Sequence, residues 1–330
     1  MRVLSIDGGG IRGLVPALVL AEIEDRTSKP ISEVFDLISG TSTGGIIALG
    51  LTMPGADGPR YSARDLARLY EEKGDDIFSR PVSHRLRSGG GTLEEKYPSG
   101  PVEEVLKEYF ASANLKSALT EVFVTSYDVE KALPFFFRSY RARQDPAYDF
   151  PMWEVARATS AAPTYFEPLR LDAAPPDDFY ALVDGGVFAN NPAMCAYVEA
   201  RKRLESEDPP APPDSEFLFV SLGTGQLTRA VRYEEAKDWG LFGWARPILD
   251  VVFDGVSDTV DFQLTELLGP KEGTRRYYRF QAPLEKDNAA MDDAGPENIH
   301  ALRQFAENII QEHAGEFDAL CDQLGRAALP

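Results

Sequence analysis

Apolar residues along the chain fall into short runs that stop at glycine. Val3-Leu4-Ser5-Ile6 is too short for a helix and ends at Asp7-Gly8-Gly9-Gly10, which predicts a buried strand. Leu14 to Glu24 carries Leu14, Leu18 and Ala21 on one stripe and predicts a helix, with Pro16 tolerated in its first turn. Phe35 to Ser39 reads as a second strand, and Gly44 to Leu51 as the helix behind it. Strand, glycine turn, helix, strand, glycine turn, helix is the opening of a parallel sheet covered by helices.

The pattern continues less regularly. Leu66 to Lys73 and Trp153 to Ala162 predict helices. Glu121 to Tyr127 and Leu133 to Tyr140 predict strands, joined by a turn at Val129-Glu130-Lys131-Ala132. Tyr180 to Val183 is a strand ending at Asp184-Gly185-Gly186, and Phe217 to Leu222 one ending at Gly223-Thr224-Gly225. Trp244 to Leu268 predicts one long helix, Arg276 to Phe280 a Tyr-rich strand, and Glu297 to Leu324 a helical stretch interrupted at Gly315. Ser88-Gly89-Gly90-Gly91, Ala174-Pro175-Pro176 and Pro209-Pro210-Ala211-Pro212-Pro213 read as loops, and none separates two domains. The expected architecture is α/β, a three-layer α/β/α arrangement around a mostly parallel central sheet. It forms one domain over residues 1–330, with a motif-bearing core at about 1–225 and a helical portion at about 240–330.

Charge narrows the partners. A net charge of −19 repels nucleic acid phosphates and anionic lipid headgroups at long range, so no nucleic acid polymer is expected as a partner. A lipid substrate stays compatible with this surface, because it needs only a local apolar entrance. Cys195 and Cys321 offer no disulfide framework and no C-x-x-C pair. The chain opens Met1-Arg2-Val3-Leu4 without a basic region followed by an apolar one, and no apolar run nears the roughly 18 to 20 residues that span a bilayer. These features lead to the expectation of a soluble cytoplasmic protein, with any membrane contact peripheral.

The chemistry centres on Gly40-Thr41-Ser42-Thr43-Gly44. A serine between two near glycines, after a strand and before a helix, describes a nucleophile elbow. By itself G-x-S-x-G arises by chance in roughly one chain of this length in ten, so its surroundings decide. In an open α/β sheet the glycine turns gather at the carboxyl edge, which would bring residues 7–13, 40–45 and 184–186 into one crevice. Gly8 to Gly13 also matches the dinucleotide pattern G-x-G-x-x-G, but the second strand ends in Gly-Thr-Ser rather than in an acidic residue that holds a ribose. Successive glycine N–H groups ahead of a helix equally form an anion nest, and beside a nucleophilic serine that nest is an oxyanion hole. A tight turn without chemistry is the third use of the same residues.

The serine needs a base. His300 and His313 lie in the helical C-terminal stretch among polar neighbours, and His84 lies in a polar loop, so none is well placed. Attention moves to a carboxylate. Asp184 ends an apolar strand and is followed by Gly185-Gly186, which admits a close backbone or substrate; the alternative is a turn aspartate that satisfies local N–H groups. No acidic calcium-loop spacing occurs, and no metal or cofactor is implied.

With these three motifs assembled, the chain resembles the patatin-like phospholipases over nearly its whole length. Asp7 to Gly13 is similar to the family's Gly-rich opening, Gly40 to Gly45 to its elbow, and Asp184-Gly185-Gly186 to its aspartate turn. Ala158-Thr159-Ser160-Ala161-Ala162-Pro163-Thr164-Tyr165-Phe166, Asn190-Asn191-Pro192 and Ser221-Leu222-Gly223-Thr224-Gly225 also look like family segments. The resemblance implies a serine lipid acyl hydrolase of phospholipase A or lysophospholipase type, with Ser42 as nucleophile and Asp184 as base. It implies an oxyanion hole from the N–H groups of Gly9, Gly10 and Ile11, shaped by Gly8 and lent charge by Arg12. Gly13, Gly40, Gly44, Gly185 and Gly186 are then motif glycines. The substrate would be a phospholipid or lysophospholipid of a membrane.

Two other readings accompany this one. Some bacterial members of the family are effectors switched on by a cyclic dinucleotide, which would need a basic pocket such as Arg138, Arg141 and Arg143, or Arg85 with Arg87. A non-catalytic lipid-binding protein would leave the serine without a purpose. Trp239-Gly240-Leu241-Phe242-Gly243-Trp244, running into Pro247 to Phe253, has three uses open to it: a lid or interfacial patch, a core helix, or a homodimer surface.

Overall fold

The computed structural model describes residues 1–78, 98–175, 177–206, 217–227, 233–244, 247–284 and 290–325. Its strands are β1 (Arg2–Ile6), β2 (Leu37–Thr41), β3 (Glu121–Asp128), β4 (Leu133–Arg138), β5 (Leu169–Asp172), β6 (Phe179–Asp184), β7 (Leu218–Leu222), β8 (Gln226–Leu227), β9 (Tyr277–Phe280) and β10 (Pro283–Leu284). The longer helices are α1 (Leu14–Thr27), α2 (Thr43–Thr52), α3 (Ala63–Phe78), α4 (Ser99–Phe110), α5 (Met152–Thr159), α6 (Ala193–Glu205), α7 (Pro247–Leu267), α8 (Pro296–Glu312) and α9 (Ala314–Gly325).

The main sheet runs β5-β6-β3-β2-β1-β7-β9, with β4 paired to β3; β8 and β10 form a small separate pair. Around β1 all pairings are parallel, with β2 on one side and β7 on the other. Successive side chains leave a strand on opposite faces, and both faces here are covered. Leu4, Ile6 and Ile38 point to one cluster, shared with α1, α2, α8 and α9, and Val122 and Val124 to a second, shared with α2, α4 and α5. Val3, Leu37, Phe123, Phe219 and Tyr277 point to the other face, closed by α6 and α7. Burial on both faces is why β1 and β2 read as continuous apolar runs rather than as an alternation. The three-layer α/β/α expectation holds.

The position of the site follows from a handover along β3. β4 occupies one edge of β3 from Phe123 to Asp128. On the other edge β2 pairs in parallel as far as Thr41 with Thr125. There β2 stops, and β6 takes the same edge antiparallel, pairing Asp184 with Ser126. Ser42 therefore leaves the sheet at the point where Asp184 arrives, although 142 positions separate them in sequence.

Several boundaries differ from the sequence expectation. Within the predicted helix from Trp244 to Leu268, α7 runs from Pro247 to Leu267 and follows a helical turn at Leu241–Trp244; residues 245 and 246 lie outside the described residues. The break in the C-terminal stretch comes at His313, two residues before Gly315. The His313 carbonyl accepts the N–H of Phe317 and so opens α9. Helix α4 was masked in the sequence by Pro98, Gly100 and Pro101, yet Val102, Val105, Leu106 and Phe110 recur at helical spacing and are buried. Strand β5 and helix α6 were also not anticipated. Ser88 to Gly91 and Pro209 to Pro213 lie outside the described residues.

Candidate active site

Ser42 sits between β2 and α2 with φ 54° and ψ −124°. That conformation costs a non-glycine residue on the order of 1–3 kcal/mol, and its surroundings must hold it. Part of the constraint is space. A Cβ on Gly44 would lie 2.2 Å from the Ile6 carbonyl oxygen, so only glycine lets α2 start this close to β1. Part is hydrogen bonding: the Ser42 N–H donates to Thr159 Oγ1 at 2.8 Å, and the Ser42 carbonyl accepts the Ile46 N–H at 3.1 Å.

Ser42 and the buried Asp184 carboxylate line the same cavity. Burial pushes the Asp184 carboxyl up to about 6, opposed by the Gly186 N–H and by the neighbouring Ser42 side chain. The Gly186 N–H reaches Asp184 Oδ1 at 2.7 Å. Desolvation without a compensating cation makes this carboxylate a stronger base than an exposed one. Asp184 thus has one oxygen anchored locally, as the turn-aspartate reading expects, and lies beside Ser42 in the cavity.

The glycine turn runs beside this pair, but its donors are not equivalent. The Gly8 N–H donates to the Asn190 carbonyl at 3.0 Å, the Ile11 N–H to the Met291 carbonyl at 2.9 Å, and the Arg12 N–H to the Gly9 carbonyl at 3.2 Å. The three donors anticipated at Gly9, Gly10 and Ile11 therefore reduce to two, since Met291 takes the third. Gly9 and Gly10 line the cavity that contains Ser42 and Asp184. Gly10 has φ +60°, the left-handed region that glycine adopts freely. Arg12 is buried behind the loop, its Nε directed at the Gly9 carbonyl at 3.3 Å, and does not line the cavity. Below the loop, Arg279 on β9 grips both oxygens of Asp7, at 3.1 and 2.6 Å. This buried pair anchors the start of the turn.

The cavity holds about 980 Å³ of space including its open mouth, and is walled mainly by apolar groups from Ile46, Tyr70, Val102, Pro163, Tyr165, Phe166, Val187, Phe253 and Met291. Ser42, Asp184, Ser160 and Asn190 supply polar atoms. This is the lining expected of a site that takes a hydrocarbon chain and one reactive polar group. Met291 and Arg279 carried no functional signal in the sequence, because each reaches the site only through the fold, whereas Phe253 ends the segment read as a lid, core helix or dimer surface. His300 and His313 do not line the cavity; His313 faces Glu316 and the Phe280 ring instead. His84 lies outside the described residues. Among the described residues no group of His, Cys, Asp and Glu is placed to hold a metal ion.

The arginines anticipated as a nucleotide pocket are otherwise engaged. Arg138 pairs with Glu199, Arg143 with Glu121, and Arg141 lies over the Tyr148 ring. Arg85 and Arg87 lie outside the described residues. Trp239 and Trp244 pack edge to face at 5.2 Å. On α7, Val260 and Leu264 are core, Phe253 lines the cavity, and Val251 and Val252 face solvent at 47% and 40% exposure. Core and exposed surface thus divide the helix between them. No helix among the described residues is long and apolar enough to cross a membrane.

Comparison with known proteins gives a consistent result. Patatin-like protein 2 of Arabidopsis thaliana is 32% identical over 342 residues, covering 94% of this chain and 83% of its own length. Patatin-like protein 4 of the same plant is 31% identical with the same coverage. A potato (Solanum tuberosum) protein named probable inactive patatin-3-Kuras 1 is 30% identical over 96% of this chain and 88% of its own. Among solved structures, VipD from Legionella pneumophila aligns over 94% of this chain and 67% of its own, with a TM-score of 0.41 and 11% identity. The family model described as patatin-like phospholipase matches residues 4–197, the stretch that carries the glycine turn, the serine elbow and the aspartate turn. On this match and these identities, the chain belongs to the patatin-like phospholipase family.

Proposed function

We propose that the protein is a serine lipid acyl hydrolase that cleaves fatty-acyl esters of phospholipids or lysophospholipids through a Ser42–Asp184 dyad. The observation that carries this reading is that Ser42 and the buried Asp184 carboxylate meet in one apolar cavity that Gly9 and Gly10 also line. Family membership alone does not decide the matter, since a relative of comparable identity is named as probably inactive.

Asp184 takes the Ser42 proton as Oγ attacks the ester carbonyl carbon. The tetrahedral oxyanion accepts hydrogen bonds from the Gly9 and Gly10 N–H groups, each worth roughly 2.7–4 kcal/mol in a site of this kind. The C–O bond breaks, and the leaving alcohol receives the proton from Asp184. Water then attacks the acyl-enzyme and gives a proton to Asp184, and as the bond from the acyl carbon to Ser42 Oγ breaks, Asp184 returns that proton to Oγ and the fatty acid is released. The apolar walls hold the acyl chain. Val251 and Val252, on the same turn of α7 as the cavity residue Phe253, suit contact with the lipid surface from which the chain is drawn.

The test is fatty-acid release from mixed-lipid vesicles followed by mass spectrometry. Ser42→Ala and Asp184→Ala should each lower the rate by roughly 10³-fold or more with the thermal transition retained. Either variant working at the wild-type rate overturns the dyad. A wild type that binds vesicles, releases no fatty acid and fails to label with a fluorophosphonate favours a lipid carrier instead.

A further inference from the structure

The turn that ends α5 touches both members of the proposed dyad through their backbones. Thr159 Oγ1 accepts the Ser42 N–H at 2.8 Å. Two residues on, the Ala161 carbonyl accepts the Asp184 N–H at 3.0 Å. The Thr159 hydroxyl donates in turn to the Thr125 carbonyl at 2.6 Å, at the place on β3 where β2 gives way to β6. One short turn is thus fixed to the ends of β2 and β6 and to Thr125 within β3, the three strands that create the site.

We propose that Thr159 is a positioning residue that sets Ser42 against Asp184, an inference that rests on the dyad reading above. Thr159 is fully buried, so its hydroxyl has no water to exchange with. A hydroxyl both accepts and donates, and here each capacity is matched by one backbone group. Its orientation is fixed by its branch: the methyl packs against Gly45, where a Cβ would come within 2.8 Å of Thr159 Cγ2. Removing the hydroxyl leaves the Ser42 N–H without its acceptor at a residue already held at φ 54°. The strain is relieved by rotating the Thr41–Ser42 peptide, and that rotation carries Oγ away from Asp184. Thr159 does not touch the substrate; it acts through Ser42.

The experiment compares wild type, Ser42→Ala, Thr159→Val, Thr159→Ser and Thr159→Ala, all as full chains, on a soluble short-chain ester and on phospholipid vesicles. A wild type no faster than Ser42→Ala overturns the dyad, and this inference with it. Given a serine-dependent rate, Thr159→Val should lower kcat roughly 10- to 100-fold with KM nearly unchanged, the loss expected when a reacting atom is misplaced by about 1 Å. Thr159→Ser should restore most of that rate. The acid limb of the pH profile should also move upward in Thr159→Val, because the Ser42 side chain, which lowers the Asp184 pKa, is turned away. A purely structural role moves the melting temperature and leaves that limb in place. If Thr159→Val folds poorly, the Ser and Ala variants carry the comparison, since they differ only in the hydroxyl. Equal kcat and equal acid limbs in that pair, beside a fast wild type, overturn the inference alone.

Discussion

Asp184 ties the proposed chemistry to a measurable cost. Burial raises its carboxyl from 3.8 to about 6, and no charged neighbour contributes to the shift. As the base it must be ionised, so kcat/KM should be level above pH 6 and fall tenfold per pH unit well below it. A profile flat down to pH 4 contradicts the assignment. The sign for stability runs the other way. Because the folded-state pKa is raised, ionising Asp184 penalises the folded state, and the penalty grows between pH 3.8 and about 6 and is complete above that. Asp184→Asn removes it and keeps an acceptor for the Gly186 N–H. At pH 8 this variant should be more stable than wild type by up to about 3 kcal/mol, and at pH 4 nearly equal, as read by denaturant unfolding. Lower stability than wild type at pH 8 means that the carboxylate is better solvated than its burial suggests. Giving up activity for stability at one position is characteristic of functional sites.

At the scale of elements, the sequence showed the parts of the site but not what joins them. The Ser42 elbow and the Asp184 turn were readable because glycine tolerates contacts, such as Gly44 against the Ile6 carbonyl, that no other residue allows. The handover on β3 that brings the two turns together is a long-range pairing, and neither β2 nor β6 carries a local trace of it. For the same reason nothing in the sequence indicated that the Met291 carbonyl occupies the Ile11 N–H. Helix α7 was the least legible element. Its apolar positions serve two environments, and periodicity does not distinguish a core stripe from an exposed one. The structure divides them, with Val260 buried and Val251 and Val252 exposed beside a turn that reaches the cavity. Replacing Val251 and Val252 by Asp should therefore weaken activity on vesicles several-fold, while hydrolysis of a monomeric short-chain ester stays within about twofold of wild type. Equal losses on both substrates would assign these valines to the cavity, not to the lipid surface.

Across the whole molecule, 53 acidic residues against 34 basic ones create a field that any membrane approach must work against. The segment from Pro247 to Leu267 adds to it locally, since it contains five acidic residues and no basic one. A docking face of this kind suits neutral or zwitterionic lipid, where apolar contact acts unopposed, and disfavours anionic lipid, where contact comes only after charge repulsion. Salt separates the two contributions. Raising ionic strength from about 0.01 M to about 0.1 M shortens the screening length from roughly 30 Å to roughly 10 Å and leaves apolar burial almost untouched. Fatty-acid release from anionic vesicles should therefore lag behind release from zwitterionic vesicles at low salt, and the gap should narrow as salt rises. Lys substituted at Asp254 and Asp258 should narrow it further, with the rate on zwitterionic vesicles little changed. A preference for anionic vesicles at low salt would mean that the membrane meets a different face of the protein, one on which the basic residues outnumber the acidic ones.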